Sequence, residues 1–432
     1  MSNNTRREFV KKSGATLLAG TLGFNIVEAN PYKHAMNVDT LKVGLIGCGG
    51  RGTGAATQAT LAEDNVVLTA MADIFPDQID KAHKYLLEEN PSKIMVDEDH
   101  KFVGFDAYKK VLASDVDVII LATPPSFRPL QLAAAVEAGK HIFCEKPVAV
   151  DAPGIRSVVE TAKKAKDKGL ALMSGFCWRH DTPMIDTYNR FKSGEIGDLH
   201  TIYTTYNTGA LWYREPKKQQ WSETELTMRN WLYANWLSGD HIVEQAIHSL
   251  DLMSWAMGDV LPESAIGTGG RQSRTEEKYG NVFDHFSIIY DYGEGKRGFH
   301  ICRQQEDCAR GYTVDVMGSD GRAFIDVFKE HYVNGKSGEW KWKGDRTNMY
   351  QNEHNTLFAS IRNGDPYFDG VRMSNSTMLA IWGRMVAYTG KKLTWEEALN
   401  SEEVLGPNAA DINWDLDWPL KAVAQPGKTP FV

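Results

Sequence analysis

The sequence predicts an α/β protein with a doubly wound parallel sheet on its N-terminal side and a second, larger domain after it. Three observations carry this. At 432 residues the chain is longer than one hydrophobic core usually serves. A short apolar run, Leu41 to Ile46, opens directly into the glycine-rich Gly47-Cys48-Gly49-Gly50-Arg51-Gly52. Strand-like and helix-like segments then alternate as far as Met173, the pattern of stacked strand-helix-strand units.

Taken in order, residues 1–29 read as a twin-arginine export signal. Arg6-Arg7 precedes a mildly apolar run from Gly14 to Val27, and Val27-Glu28-Ala29 offers a small-residue cleavage site before Asn30. The run is too short and too interrupted by Gly to span a membrane, so the expectation is a mature chain released to the periplasm. Residues 30–40 form a polar linker, 41–175 a first domain opened by the glycine-rich turn, and 176–432 a second, larger domain.

Strand 41–46 and the helix from Thr53 to Leu61 flank a GxGxxG turn. Gly47 permits the tight turn, Gly49 lets backbone approach a pyrophosphate, and Gly52 allows close helix-to-strand packing. The helix start, reached through Cys48, Gly50 and Arg51, presents free N–H groups and the positive end of a dipole to phosphate. A second strand, Val66 to Met71, ends at Asp73, placed to accept both ribose hydroxyls; that carboxylate repels a 2′-phosphate, which favours NAD over NADP. Val116 to Leu121 (strand), Pro129 to Ala138 (helix), His141 to Cys144 (strand), Asp151 to Lys166 (helix) and Leu170 to Met173 (strand) complete the sheet. Thr123, Pro124, Glu145 and Lys146 fall at carboxyl ends of strands, where such sheets bind ligands.

Composition narrows the partners. A formal net charge of -8 with no polybasic block disfavours nucleic acid and anionic lipid. The five cysteines, Cys48, Cys144, Cys177, Cys302 and Cys308, show neither CxxC nor paired metal spacing, so no disulfide framework or zinc site is expected. Trp212, Trp221, Trp231, Trp236 and Trp255 lie in one stretch; such rings stack on the C–H faces of sugars, and ordinary packing explains them equally well.

A helix is predicted from about Asp240 to Met257. His241, Glu244, His248 and Asp251 recur at three and four residues and so share one face, with Ile242, Val243, Ala246, Leu250 and Met253 opposite. Imidazole has the unperturbed pKa nearest neutrality, so His248 is the candidate general base for a hydroxyl proton. Glu244, one turn earlier, is placed to orient it or to bind a substrate hydroxyl. Neither HExxH nor HxxEH is present, and no metal is expected. Trp178-Arg179-His180, just after the last strand, are candidates for the nicotinamide pocket or a substrate anchor.

The glycine loop, Ala122-Thr123-Pro124, Ala138-Gly139-Lys140-His141 leading to Glu145-Lys146-Pro147, and Glu244-Gln245-Ala246-Ile247-His248 resemble the glucose-fructose oxidoreductase and inositol dehydrogenase (Gfo/Idh/MocA) family. The resemblance implies a C-terminal α/β domain with an open, mostly antiparallel sheet whose exposed face commonly makes homodimers or homotetramers. Runs at 200–206, 286–290, 298–303 and 312–317 suit its strands, and helices from Thr356 to Asn363 and Met373 to Thr389 would pack beside it. It also implies that Lys146 lies near the nicotinamide and the reacting oxygen, often before a cis peptide bond, and favours alkoxide character there. Two departures stand out: Glu244 where many relatives carry Asp, and Arg128 where many carry His, marking a different substrate or a salt bridge.

The expected activity is hydride transfer between NAD and a secondary alcohol of a sugar, cyclitol or glycoside. Two alternatives are a glycosidase that keeps NAD bound and oxidises its substrate transiently, and a nucleotide-loaded binding protein without turnover. Retention of Glu145-Lys146-Pro147 argues for net dehydrogenation.

Overall fold

The structure is a computed structural model describing residues 40–216 and 221–432, so the segment read as an export signal lies outside the described residues. The N-terminal half alternates β1 (Leu41–Ile46), α1 (Gly50–Ala62), β2 (Val66–Asp73), α2 (Pro76–Glu89), β3 (Lys101–Val103), α3 (Ala107–Ala113), β4 (Val118–Leu121), α4 (Arg128–Glu137), β5 (His141–Cys144), α5 (Ala152–Asp167) and β6 (Leu172–Ser174). All six strands are parallel, in the order β3-β2-β1-β4-β5-β6. Every residue of β4 and β5 is buried, because helices cover both faces of the sheet. The order reverses between β1 and β4, which opens a crevice at the carboxyl ends of the strands.

The chain continues through α6 (Thr182–Arg190), β7 (Leu199–Thr208), α7 (Glu223–Arg229), α8 (Asn235–Ser238), α9 (His241–Glu244) and α10 (Ile247–Ala256). There follow β8 (Ser264–Gly270), β9 (His285–Asp291), β10 (Arg297–Gln304), β11 (Thr313–Gly318), β12 (Arg322–Asp326), β13 (His331–Gly335) and β14 (Gly338–Lys341). The last elements are α11 (Met349–Asn363), α12 (Gly370–Thr389), β15 (Leu393–Thr394) and α13 (Trp395–Leu399). The second sheet has nine strands in the order β14-β13-β12-β11-β7-β10-β9-β8-β15, antiparallel except for the pair β7 and β10. Strict alternation of buried and partly exposed residues along β10 shows one covered face and one open face.

One placement differs from the sequence expectation. Helix α11 does not lie beside the antiparallel sheet. Its Leu357, Phe358 and Ile361 join the core of Leu41, Val43, Val66 and Ala55 on the parallel sheet, and Phe368 bridges to Leu172 of β6. The apolar stripe of α11 suits either sheet, and only the return path of the chain decides between them. Helix α12 does follow the expected course, with side chains buried on nearly all sides between α5 and β8.

Candidate active site

The crevice holds a cavity of about 390 Å³ lined by Gly47, Gly49, Gly50, Arg51, Gly52, Asp73, Thr123 and Pro124. Two glycines are demanded sterically. Gly47 has φ +98°, and a Cβ on Gly52 would lie 1.9 Å from the carbonyl oxygen of Gly47. Cβ atoms on Gly49 and Gly50 would meet nothing within 4 Å, so the backbone there faces open space at the first turn of the 13-residue α1. That cradle, with unpartnered helix-start amides around it, fits a diphosphate. Asp73 sits on the same wall; its Oδ2 accepts the Cys48 N–H at 2.7 Å and its Oδ1 the Phe75 N–H at 2.9 Å. Each carboxylate oxygen keeps a further lone pair for a ribose hydroxyl.

Beside the cavity, the turn after β5 carries Glu145, Lys146 and Pro147, with a cis Lys146–Pro147 bond. Lys146 Nζ donates to the backbone oxygen of Glu244 at 2.6 Å and lies 3.4 Å from Glu244 Oε1. The predicted helix 240–257 is in fact broken, and the break explains the first contact. Between α9 and α10 the His248 N–H turns to Gln245 O at 3.4 Å, which leaves the carbonyl of Glu244 without its usual i+4 donor. An unbroken helix would have spent that acceptor internally.

His248 is 9% exposed, and the Trp178 ring lies across it at 5.0 Å between centroids. Trp178 in turn stacks on Tyr206 and meets Tyr312 and Phe328 edge-on. Burial first, then the charges of Lys146 and Arg51, hold the His248 imidazole well below its ordinary pKa, so it is neutral near pH 7. A neutral imidazole packed against an aromatic wall thus lies within electrostatic reach of an ammonium. That combination can accept a hydroxyl proton, stabilise a developing oxyanion and stack on an apolar ring face.

Other expected residues are placed differently. The charged face anticipated for the helix is divided among three environments. His241 is buried edge-on to Phe286. Asp251 is locked between Arg179 (2.8 Å) and Arg372 (3.2 Å) with Ser376 at 2.7 Å. Glu244 contacts Lys146, and His248 feels its charge. Arg179, expected near the nicotinamide, is committed to Asp251 and Asp259, because two buried or half-buried carboxylates compete for it. The Cys48 amide is spent on Asp73 and its thiol faces Ala72 O, so it turns inward from the cavity. Glu145 also points inward. It accepts from Arg51 Nε at 2.5 Å and occupies space left by Gly175, where a Cβ would lie 2.7 Å from Oε2. Arg51 lines the cavity but its guanidinium also donates to the buried Glu353 at 2.8 Å, tying α1 and the β5 turn to α11. Arg128 makes no ion pair among the described residues. It is buried and donates to the carbonyls of Thr123 (2.7 Å) and Pro147, bracing the two turns that form the crevice.

Several lining residues were not singled out from the sequence. Phe75 and Phe105 belong to loops beyond β2 and β3, Tyr108 to the first turn of α3, and Arg214 and Met228 come from the chain beyond the parallel sheet. Trp212 and Trp231, noticed only as part of an aromatic cluster, line the same cavity.

Comparison with known proteins agrees with this architecture. Residues 41–174 match the model of an oxidoreductase family with an NAD-binding Rossmann fold, and residues 188–324 match the GFO/IDH/MocA C-terminal domain. The chain is 24% identical to a myo-inositol 2-dehydrogenase of Thermotoga maritima over 85% of this chain and 100% of that protein. It is 28% identical to a glycosyl hydrolase family 109 protein of Shewanella pealeana, over 45% of this chain and 44% of that protein. Among solved structures, the aldose-aldose oxidoreductase from Caulobacter crescentus complexed with glycerol superposes with a TM-score of 0.66. That match is 18% identical and covers 82% of this chain and 99% of that one.

Proposed function

This chain belongs to the Gfo/Idh/MocA family of oxidoreductases, with an NAD-binding Rossmann domain, and on that premise we propose that it moves a hydride between NAD and a secondary alcohol of a sugar, cyclitol or glycoside. What supports the reading is that Lys146 bonds to Glu244 and bears electrostatically on His248, at a turn whose neighbour Glu145 pairs with Arg51 of a glycine cradle suited to a diphosphate. When bound, NAD supplies the hydride acceptor. The protein supplies the handling of oxygen and proton. An ammonium has three donors; two of them meet Glu244, and the third is left for the substrate oxygen, where the positive charge favours alkoxide character. His248, neutral, takes the hydroxyl proton, with Trp178 fixing the plane of its ring. Tyr206, Tyr312 and Phe328 pack around Trp178 and extend the aromatic wall on which the C–H side of a sugar ring would stack.

The test is a panel of neutral sugars and inositols supplied with NAD and followed by the near-ultraviolet absorbance of NADH. On the substrate found, Lys146→Met and His248→Asn are expected to slow the reaction by about 10²- to 10⁴-fold. Wild-type rates in both variants would remove the assignment. A glycosyl hydrolase among the relatives motivates a second reading, transient oxidation with NAD retained. It requires cleaved glycoside without accumulating NADH, which the same assay separates.

Two further expectations belong to this reading. The open face of the nine-stranded sheet is proposed as the surface of a homodimer or homotetramer. Export through the twin-arginine route to the periplasm is proposed from Arg6-Arg7, and an Arg6→Lys, Arg7→Lys double variant is expected to remain in the cytoplasmic fraction.

A further inference from the structure

Two segments outside the parallel sheet reach the nucleotide cavity, and they are pinned to each other. The Arg214 N–H donates to Asn230 Oδ1 at 2.8 Å, and Asn230 Nδ2 donates back to the Arg214 carbonyl at 3.1 Å. The Tyr233 hydroxyl lies 3.0 Å and 3.1 Å from the carbonyls of Leu211 and Trp212. Arg229, at the end of α7, anchors this pair of segments on the nucleotide domain. Its guanidinium donates to both oxygens of Asp77 at 2.9 and 3.2 Å and to Glu225 at 2.8 Å. It also lies over the ring of Phe75, 3.9 Å from the centroid, two residues beyond Asp73.

The charge balance of the cavity then points to one residue. Its charged lining residues are Asp73, Arg51 and Arg214. Arg51 is neutralised by Glu145 and Glu353. Arg214 pairs with no carboxylate among the described residues, and its guanidinium is held over the Trp212 ring, 4.6 Å from the centroid. A dinucleotide brings two negative charges to the glycine turn, where a helix start offers only about half a charge. We propose that Arg214 supplies the cation for the NAD diphosphate from across the crevice, and that the Arg229–Asp77 pair with Asn230 sets its position. The inference rests on the cavity being the NAD site.

Calorimetric titration with ADP-ribose and with adenosine tests it without any turnover. Arg214→Ala is expected to weaken ADP-ribose binding roughly tenfold, the worth of one charge-assisted contact, and to leave adenosine binding unchanged. Arg214→Lys recovers part of the loss. Arg229→Ala weakens ADP-ribose as well, and the double variant is no worse than Arg214→Ala, because the anchor acts through Arg214. Unchanged melting temperatures without nucleotide establish that the variants are folded. ADP-ribose affinity equal to wild type in folded Arg214→Ala overturns the proposal. Failure of the wild-type chain to bind either NAD or ADP-ribose would instead overturn the nucleotide assignment of the cavity.

Discussion

His248 illustrates how a residue acquires a role from its surroundings. Its imidazole is depressed first by burial and then by the cations Lys146 and Arg51. The proton-accepting form therefore persists below the ordinary value of 6.5, and the acid limb of the proposed alcohol oxidation is expected below that pH, with rate lost as pH falls through the depressed pKa. Lys146→Met removes one of the two cations, so the His248 pKa should rise while burial keeps it under 6.5. An NMR titration of wild type and variant checks both the order and the bound, and a wild-type value above 6.5 contradicts the argument. Arg51 makes a second residue-scale prediction. Its removal leaves Glu145 and Glu353 buried without their paired cation, so Arg51→Met should cost about 3 kcal/mol in urea unfolding. Glu353 is already pushed upward by burial, so protonation relieves the variant, and the deficit should shrink as pH falls.

At the scale of elements, the interrupted helix is the informative feature. Asp240 starts α9 at φ +75°, a conformation costly for any residue but glycine. Its carboxylate accepts from the Tyr388 hydroxyl and the N–H groups of Phe283 and His241, at 2.5, 2.7 and 2.5 Å. Asp240→Gly removes the backbone cost, about 1 kcal/mol, and leaves buried donors unsatisfied at about 1–3 kcal/mol each, so it should destabilise despite fitting the dihedral. Burial raises this carboxyl to about 6. The stability contributed there should therefore decline as pH rises from the ordinary carboxylate range to about 6, a slope that Asp240→Asn lacks. Periodicity revealed the face that carries Glu244 and His248, because both fall on short helical segments. It did not reveal the break. Asp240, Gln245 and Ala246 bear no helix-breaking side chain, and the interruption is fixed by partners distant in sequence, such as Gln304, whose Nε2 donates to Gln245 Oε1 at 2.8 Å. The same limit hid α2, β3 and α3, whose short or weakly apolar strand falls between stronger signals.

For the whole molecule, the open sheet face bears a continuous cross-strand row. Ile266 pairs with Ile289, Ile289 with Phe299, Phe299 with Tyr203, Tyr203 with Asp315 and Asp315 with Phe324. Ile266 and Ile289 are 46% and 38% exposed, an apolar strip suited to a second copy of the chain. Ile289→Arg is expected to convert the proposed oligomer to protomers in light scattering after size exclusion, without loss of secondary structure; a monomeric wild type would refute the assembly. By itself, the sequence determined the doubly wound sheet and the glycine turn, and it singled out Asp73, Lys146, Glu244 and His248 as the residues proposed to carry the chemistry. Those are local matters, because a glycine turn, a buried strand and a helical period are each written in neighbouring residues. Tertiary structure alone decided that α11 serves the parallel sheet, that Arg179 and Asp251 neutralise each other, and that Arg214 and Trp212 cross the crevice to the nucleotide cavity. Each of those outcomes depends on which distant charge or apolar surface a side chain meets first, and sequence spacing holds no record of that distance.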